Sequence, residues 1–568
     1  MSAAKKIKTL PRGKSYFDDI IANGSYYVDK TLFVRDLLDS DSSVTLCTRP
    51  RRFGKTLNQT MLKAFFEDTA PLSGRDTRAL FNGLKIEDAG EEYMARQGKY
   101  PVIFLSFKEA KRASFDDSYE NLIDSIADEF SRHKYAKEKI ADKEKQDLFE
   151  KLSSRNGTQK EYADSLRFLC ECLENYHKQK AVILIDEYDV PLENAWFNGF
   201  YAEIVNFIRP LMSSALKENP YLLLSVITGC LRISKESIFT GLNNLTIIST
   251  LSWEFSEYFG FTQKEVDAIL KYYGIEEKRQ ILREWYNGYL FGNTEVYNPW
   301  SCVHSITNWR INIDEFPKPY WVNTSSNDIV RHLIDRADNE TKDELVTLMD
   351  KGTITKSIHE DITYGEIDKS MDDLWNFMFF TGYLKKVGKE RMEDENIVMD
   401  LSIPNDELHY IYKRKVKEWF NEHINSKNLD VFFKAILNAD METFQAELSK
   451  LLAESISFMD SAENFYHGFM VGILSRLSGY RVKSNRESGD GRNDLVLYSA
   501  NGIEDKAIIF ELKSVNKFDD MPAACKEALK QIEDKNYADE WYTDGYRTIT
   551  KYGIAFYRKR CRVENAEK

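Results

Sequence analysis

SVTLCTRPRRFGKTLNQTMLKAFFED, residues 43–68, decides how the N-terminal half of the chain is read. SVTLCT (43–48) is a short apolar run that reads as a buried strand, RPRRFGKT (49–56) as a loop, and LNQTMLKAFFED (57–68) as a helix. A strand that passes through a tight loop into a helix presents free backbone N–H groups at the helix N-terminus, a natural cradle for phosphate. On that reading Gly54 closes the loop, Lys55 reaches the β- and γ-phosphates of a nucleotide, and Thr56 ligates Mg²⁺. The G-x(4)-G-K-[ST] pattern has glycine where this chain has Arg49, so the match is incomplete.

AVILIDEYD (181–189) supports the same site from a distance. Its apolar run is too short for a typical helix and ends in two acids, which predicts a buried strand delivering Asp186 and Glu187 at its C-terminal edge. Asp186 would hold Mg²⁺ through water, and Glu187 would polarise the attacking water. YLLLSVITG (221–229) adds a strand ending in Thr228, a sensor for the γ-phosphate or water, and PVIFLSF (101–107) and TIIST (246–250) add two more. Helical patterns between them, such as Leu122, Ile126 and Phe130, give the alternation of a largely parallel α/β sheet, whose ligands bind at the C-terminal strand ends. Arg232, just past the Thr228 strand, is placed to meet charge developing on a phosphate. Arg49, Arg51 and Arg52 could supplement the cradle or contact a nucleic-acid backbone, and a solvated basic loop is the other reading of Arg51 and Arg52.

Near the C-terminus Asp494 opens DLVLY (494–498), and KAIIFELK (506–513) returns after the turn-rich SANGIED (499–505). A turn centred near Gly502 or Ile503 brings Asp494 opposite Phe510 or Glu511. Side chains alternate along a strand, so Glu511 and Lys513 share one face while Phe510 and Leu512 take the other. Two converging carboxylates repel and take up protons unless a divalent cation lies between them, and hard oxygen ligands suit Mg²⁺ or Mn²⁺. Such an ion polarises a phosphoryl oxygen and lowers the pKa of a bound water, while Lys513 orients that water or stabilises the developing charge.

GRNDLVLY (491–498) and FELK (510–513) resemble the first acid and the E-x-K element of the PD-(D/E)XK nuclease superfamily, with Asn493 where the motif's name shows Pro. The resemblance implies a further metal-site acid at Glu463, which opens the helical ENFYHGFMVGILSRL (463–477). It also implies that Gln531 and Tyr537 in ACKEALKQIEDKNY (524–537) form the Gln…Tyr element of RecB-like members. YGIAFYRKR (552–560) would add a strand. The N-terminal half resembles the AAA-ATPase-like family found with such C-terminal domains in bacteria and archaea. That likeness rests on YYVDKT (26–31), RPRRFGKT, LIDEYDVPL (184–192), TGCLRISKESIFTGLNNL (228–245) and VYNPWS (296–301). Arginine at the first-glycine position is usual in that family. The similarity covers most of 1–310 and resumes from about residue 460. It implies ATP as cofactor and roles in defence against foreign DNA or with mobile elements.

The expected architecture is α/β in four parts. Residues 1–260 form a P-loop ATPase domain with a mostly parallel sheet, and 261–310 (FTQKEVDAILKYYG, REWYNGYLFG) a helical lid. Residues 311–455 form an α-rich, winged-helix-like middle region, and 456–568 a PD-(D/E)XK nuclease-like α/β domain. In LWNFMFFTGYLKKV (374–387), Trp375, Phe377, Phe379 and Phe380 read as core rather than as a base-stacking platform. Residues 134–160 read as a charged insertion, a solvated helix and loop rather than a ligand site, and 421–455 as a helical bridge. YYVDKT borders an adenine pocket or forms a surface turn. His467, one turn beyond Glu463, reads as a packed helix histidine before it reads as a site residue.

Composition narrows the function. A chain of 568 residues exceeds one ordinary core. Its net charge of −13 excludes a basic coat, although residues 456–568 balance 18 Lys and Arg against 18 Asp and Glu, with cations clustered in YRKRCR (557–562). No apolar run approaches the roughly 20 residues of a membrane span, and MSAAKKIKTLPRGKSYF has no apolar signal core, so the expected location is the cytoplasm. Seven scattered cysteines and eight histidines show no zinc or redox spacing. The expected activity is ATP hydrolysis joined to metal-dependent cleavage of nucleic acid, DNA in preference to RNA. The rivals are a nucleotide-dependent regulatory switch and a nucleic-acid-dependent ATPase whose C-terminal domain binds without cutting. Many P-loop ATPases complete their sites across subunits, so a homo-oligomer stays open.

Overall fold

The computed structural model describes residues 7–72, 76–231, 238–239, 242–321, 329–360, 364, 370–393, 396–425, 428–454, 463–488, 491–500 and 505–566. Two compact units divide the chain, residues 1–327 with 355–410 and residues 328–354 with 411–568.

In the first unit, β1 (Val44–Thr48), β2 (Val102–Ser106), β3 (Ala181–Asp186), β4 (Leu222–Gly229) and β5 (Leu245–Ile248) form one sheet in the order β2-β3-β4-β1-β5. Every neighbouring pair is parallel. All residues of β1 and β3 are buried, as expected of apolar runs covered on both faces. The helix Phe115–Arg132 buries Leu122, Ile126 and Phe130, the positions its periodicity singled out. Because β4 lies between β1 and β3, the strand ends carrying the P-loop, Thr228 and Asp186 stand side by side, with Cys47 opposite Thr228 and Ile185 opposite Ile227. The 134–160 segment is more than a solvated insertion. Its helix Lys143–Ser153 buries Phe149 and Leu152, and Phe149 meets Phe130 edge to face.

The expected lid contains the helices Gln263–Tyr273, Arg279–Tyr286 and Pro299–Trp309. They share a core with Phe261 of β6 (Phe261–Thr262) and Tyr297 of β8 (Thr294–Tyr297), which with β7 (Tyr289–Phe291) form a small sheet ordered β6-β8-β7, while Tyr289 and Phe291 of β7 pack into the core of the five-stranded sheet. YYVDKT buckles the N-terminal segment to this core. Lys30 is buried, and its ammonium donates to both carboxylate oxygens of Glu265 at 2.7 and 2.6 Å and to the Glu257 carbonyl at 2.5 Å. Glu265 is also the acid of the capping box that opens the helix Gln263–Tyr273. Asp29 accepts from the Thr31 N–H and hydroxyl, and Tyr26 packs on Tyr272 and Tyr273. These contacts make the motif a structural tie between elements.

In the middle region, the helix Met371–Phe380 buries Trp375, Phe377, Phe379 and Phe380. Three further strands, β9 (Ile354–Ser357), β10 (Lys385–Glu393) and β11 (Asn396–Ser402), form a sheet in the order β10-β11-β9, with β10 and β11 antiparallel.

The second unit is built on β12 (Tyr480–Ser488), β13 (Gly491–Ser499), β14 (Lys506–Ser514), β15 (Thr548–Tyr557) and β16 (Arg560–Asn565), in sequential order. Neighbours are antiparallel except β14 and β15, which are parallel and joined through the helix Met521–Asp534. Leu495, Leu497, Ile508, Phe510 and Leu512 point into a core that includes the helix Glu463–Leu474. The helices Asp430–Asn438 and Met441–Glu454 belong to the same core through Phe432, Ile436, Phe444 and Leu448. What reads from sequence as a bridge is therefore part of this unit's interior. The opposite face carries Val496 and Ile509 against Ile532, Tyr537 and Trp541. Among the described residues, no helix is long and apolar enough to cross a membrane.

The Lys30–Glu265 pair gives a stability test. Removing one member of a buried pair strands the other charge, so Lys30→Met should lower stability by about 3 kcal/mol in urea unfolding, and the double change Lys30→Met with Glu265→Met should cost less than the single one. A single substitution that leaves the transition unmoved would contradict the tie.

Candidate functional site

Gly54 takes φ +86° at the mouth of the helix Lys55–Phe66, a left-handed turn that lets the P-loop enter the helix directly. The Lys55 ammonium is buried and donates to the carbonyls of Arg49 and Pro50, both at 2.9 Å, with Cys230 Sγ at 3.7 Å. Asp186 joins two elements. One carboxylate oxygen accepts from Thr56 Oγ1 at 2.6 Å and the other from Thr228 Oγ1 at 2.6 Å. Burial raises the Asp186 pKa and Glu187 adds to the rise, against the two hydroxyl bonds and Lys55. A hydroxyl and a carboxylate this close, both hard oxygen donors, fit a Mg²⁺ ion. Glu187 follows at φ +55°, a strained backbone for a non-glycine residue, and is half-buried at the strand end.

Arg49 has a different place from the cradle expected of it. Its guanidinium is buried, with Nη1 donating to the carbonyls of Thr48 at 2.8 Å, Ile248 at 3.0 Å and Ser249 at 2.6 Å. The rings of Phe259 and Phe291 lie 5.3 and 4.9 Å from it, and burial pushes its pKa down to about 10. This geometry makes Arg49 a strut between the ends of β1 and β5. Arg52 lies over the Trp300 ring at 4.1 Å. Arg232 lies outside the described residues.

In the second unit Leu495 pairs with Phe510, so the ladder places the backbone of Asp494 at the level of Glu511. The side chains of Asp494 and Glu463 lie outside the described residues. Glu511 is buried, and Lys513 Nζ stands 3.7 Å from its Oε1. Lys513 donates to Gln531 Oε1 at 2.7 Å, and Gln531 Nε2 donates to the Tyr537 hydroxyl at 3.4 Å. Glu511, Lys513, Gln531 and Tyr537 thus form one chain between β14 and the helix Met521–Asp534. Gly553, opposite Glu511 in β15, permits that approach, because a Cβ there would meet the Cys525 carbonyl at 2.4 Å. Among the described residues no group of three or more His, Cys, Asp or Glu gathers as a metal site. His467 pairs with Ser484 Oγ at 3.0 Å, from the helix on the other face of the sheet.

Residues 11–239 match the family model described as predicted AAA-ATPase, and residues 461–566 match that of the PD-(D/E)XK nuclease superfamily. The chain joins an AAA-ATPase-like segment to a PD-(D/E)XK nuclease superfamily segment. A protein of Azotobacter chroococcum mcd 1, described as an uncharacterized protein in the vnfD 5′ region, is 26% identical over 571 residues, which span 97% of each chain.

In the AAA-ATPase-like segment the last acid of DEYD has a role that sequence reasoning did not give it. Asp189 is buried, and its Oδ2 accepts from the N–H groups of Cys230 at 2.7 Å and Leu231 at 3.1 Å. The Tyr188 hydroxyl donates to the Leu231 carbonyl at 2.7 Å. Together they pin the loop leaving β4 to the residues after β3. The signal available in the sequence was a carboxylate two residues beyond Glu187.

Burial raises the Asp189 pKa from its ordinary 3.8 to about 6, against the Lys55 charge. The folded state therefore holds a proton between those values that the unfolded chain has released, and the associated stability is lost as pH rises through 6. That difference corresponds to about 3 kcal/mol. Asp189→Asn should raise the urea midpoint at pH 8 and leave it nearly unchanged at pH 4. Equal or lower stability of the variant at pH 8 would contradict this assignment.

Proposed function

We propose that the N-terminal segment binds and hydrolyses ATP with Mg²⁺, and that the C-terminal segment cleaves phosphodiester bonds of DNA with Mg²⁺ or Mn²⁺. The observation that carries the first half is the Asp186 carboxylate shared between Thr56 and Thr228 at 2.6 Å each. The hydroxyls of Thr56 and Thr228 and the strand-end acid thereby meet at one point. Lys55 stands behind them as the cation for the β- and γ-phosphates, and its present partners are neutral carbonyls that a phosphate oxygen can replace. Glu187, one residue beyond Asp186, orients and polarises the attacking water. A bound Mg²⁺ would neutralise charge on the phosphates, held by Thr56 directly and by Asp186 through water.

For the C-terminal reaction the support is the Glu511, Lys513 and Gln531 chain. Glu511 and Asp494 would hold the cation, which supplies a water of lowered pKa. Gln531 fixes the Lys513 ammonium, so that the cation is aimed before substrate arrives.

The full-length protein, incubated with ATP and with single- and double-stranded DNA and RNA in the presence of Mg²⁺, Mn²⁺ or EDTA, tests both halves. Lys55→Ala should reduce ATP turnover by a factor of about 100 or more. Glu511→Gln should remove EDTA-sensitive cutting of DNA while ATP turnover persists. Tight ATP binding with no turnover and no cutting would instead identify a switch. DNA-stimulated turnover in wild type and in Glu511→Gln alike, with no cutting by either, would identify an ATPase whose C-terminal segment only binds.

A further inference from the structure

The three P-loop arginines have three different partners. Arg49 is caged by strand-end carbonyls, and Arg52 is stacked on Trp300. The guanidinium of Arg51 is bonded to the Glu193 carboxylate. Glu193 stands in the first turn of the helix Val190–Asn198, just beyond Asp186, Glu187 and Asp189, and only 9% of its side chain is exposed. Burial works against the Arg51 charge, but the Glu193 carboxylate bonded to it, with Asp189 adding to the effect, more than offsets that cost. The backbone of Arg51 is held independently, because Trp321 Nε1 donates to its carbonyl at 3.2 Å. The side chain can exchange partners while the loop stays in place.

We propose that Arg51 reads the terminal phosphate of the nucleotide, and that Glu193 is the carboxylate from which the γ-phosphate takes it. This rests on the ATP-binding reading above. A guanidinium presents a planar fork that suits carboxylate and phosphate alike, so the two anions compete for one donor set. A terminal phosphate carries more charge than a carboxylate and offers three equivalent oxygens, which favours the exchange. The Glu193 charge also acts on Lys111, where it opposes the lowering of that lysine's pKa by burial. ADP ends at the β-phosphate, which Lys55 already serves, so it gains little from Arg51. The pair therefore sets selectivity for ATP over ADP.

Calorimetric titration of the full-length protein with MgATP and MgADP tests this in wild type, Arg51→Ala, Glu193→Gln, the double variant and Lys55→Ala. Arg51→Ala should weaken ATP by about tenfold or more and ADP by no more than about twofold, the loss of one charge-assisted contact. Glu193→Gln frees the guanidinium and should tighten ATP several-fold without tightening ADP, and the double variant should lose that gain. Should Arg51→Ala fail to fold, as judged by thermal unfolding, Glu193→Gln decides alone: a raised ATP-to-ADP preference supports the exchange and an unchanged one overturns it. Equal shifts for both nucleotides, or none, also overturn it. Wild type that binds neither nucleotide, or binding indifferent to Lys55→Ala, overturns the ATP reading itself and this inference with it.

Discussion

The Asp186 carboxylate is the fixed point of the N-terminal unit. It is buried at the end of β3, where an ionised acid without partners would be costly, and its two oxygens are met by hydroxyls from the P-loop helix and from β4. That sharing requires β4 to stand between β1 and β3, which the sheet order supplies. It also requires the P-loop helix to start at Lys55, which the left-handed Gly54 permits. Asp189 repeats the device three residues later, with backbone N–H groups in place of hydroxyls. Strand order, loop conformation and the loop after β4 are thus all referred to two acids on one run.

The second unit meets the same demand with a charged partner. Glu511 is buried beside Lys513, and the ammonium is steadied by a neutral amide from a helix rather than by a second acid. A neutral amide directs the lysine without adding a second negative charge beside it. The arrangement depends on backbone proximity as much as on side chains, since the helix bearing Gln531 can pass Glu511 only where β15 has Gly553.

Much of this was legible in the sequence because it depends on local periodicity. The length of AVILID, its uniform apolarity and the acids behind it specify a buried parallel strand with chemistry at one end. The short turn between DLVLY and KAIIFELK limits the register to two choices, and pairing of Leu495 with Phe510 is one of them. Other features were not legible, because their meaning lies in tertiary partners. Nothing local distinguishes Arg49 as a strut from Arg51 as an ion-pair partner, since both are arginines of one basic loop. What separates them is Phe259 and Phe291 on one side and Glu193 on the other, more than a hundred residues away. Lys30 reads as a surface turn until Glu265 is placed against it. The helices at 430–454 look like a linker because their apolar residues match those of two strands far along the chain, Phe444 against Phe510 of β14 and Tyr552 of β15.

The partners that these site residues hold differ in kind, and the difference bears on selectivity. Lys55 rests on two carbonyls and Asp186 on two hydroxyls, all neutral dipoles beside a charge. A fully charged ligand displaces a neutral dipole with net electrostatic gain, so neutral partners of this kind discriminate little among phosphates or cations of suitable shape. Arg51 is held by a full charge in a poorly solvated setting, where separating the ions is expensive. Only a ligand of at least equal charge, aimed at the same fork, can take that guanidinium. On the proposed nucleotide reading, a loop that mixes neutral and ionic partners binds phosphate generally at Lys55 and reserves one contact for the end of the chain of phosphates.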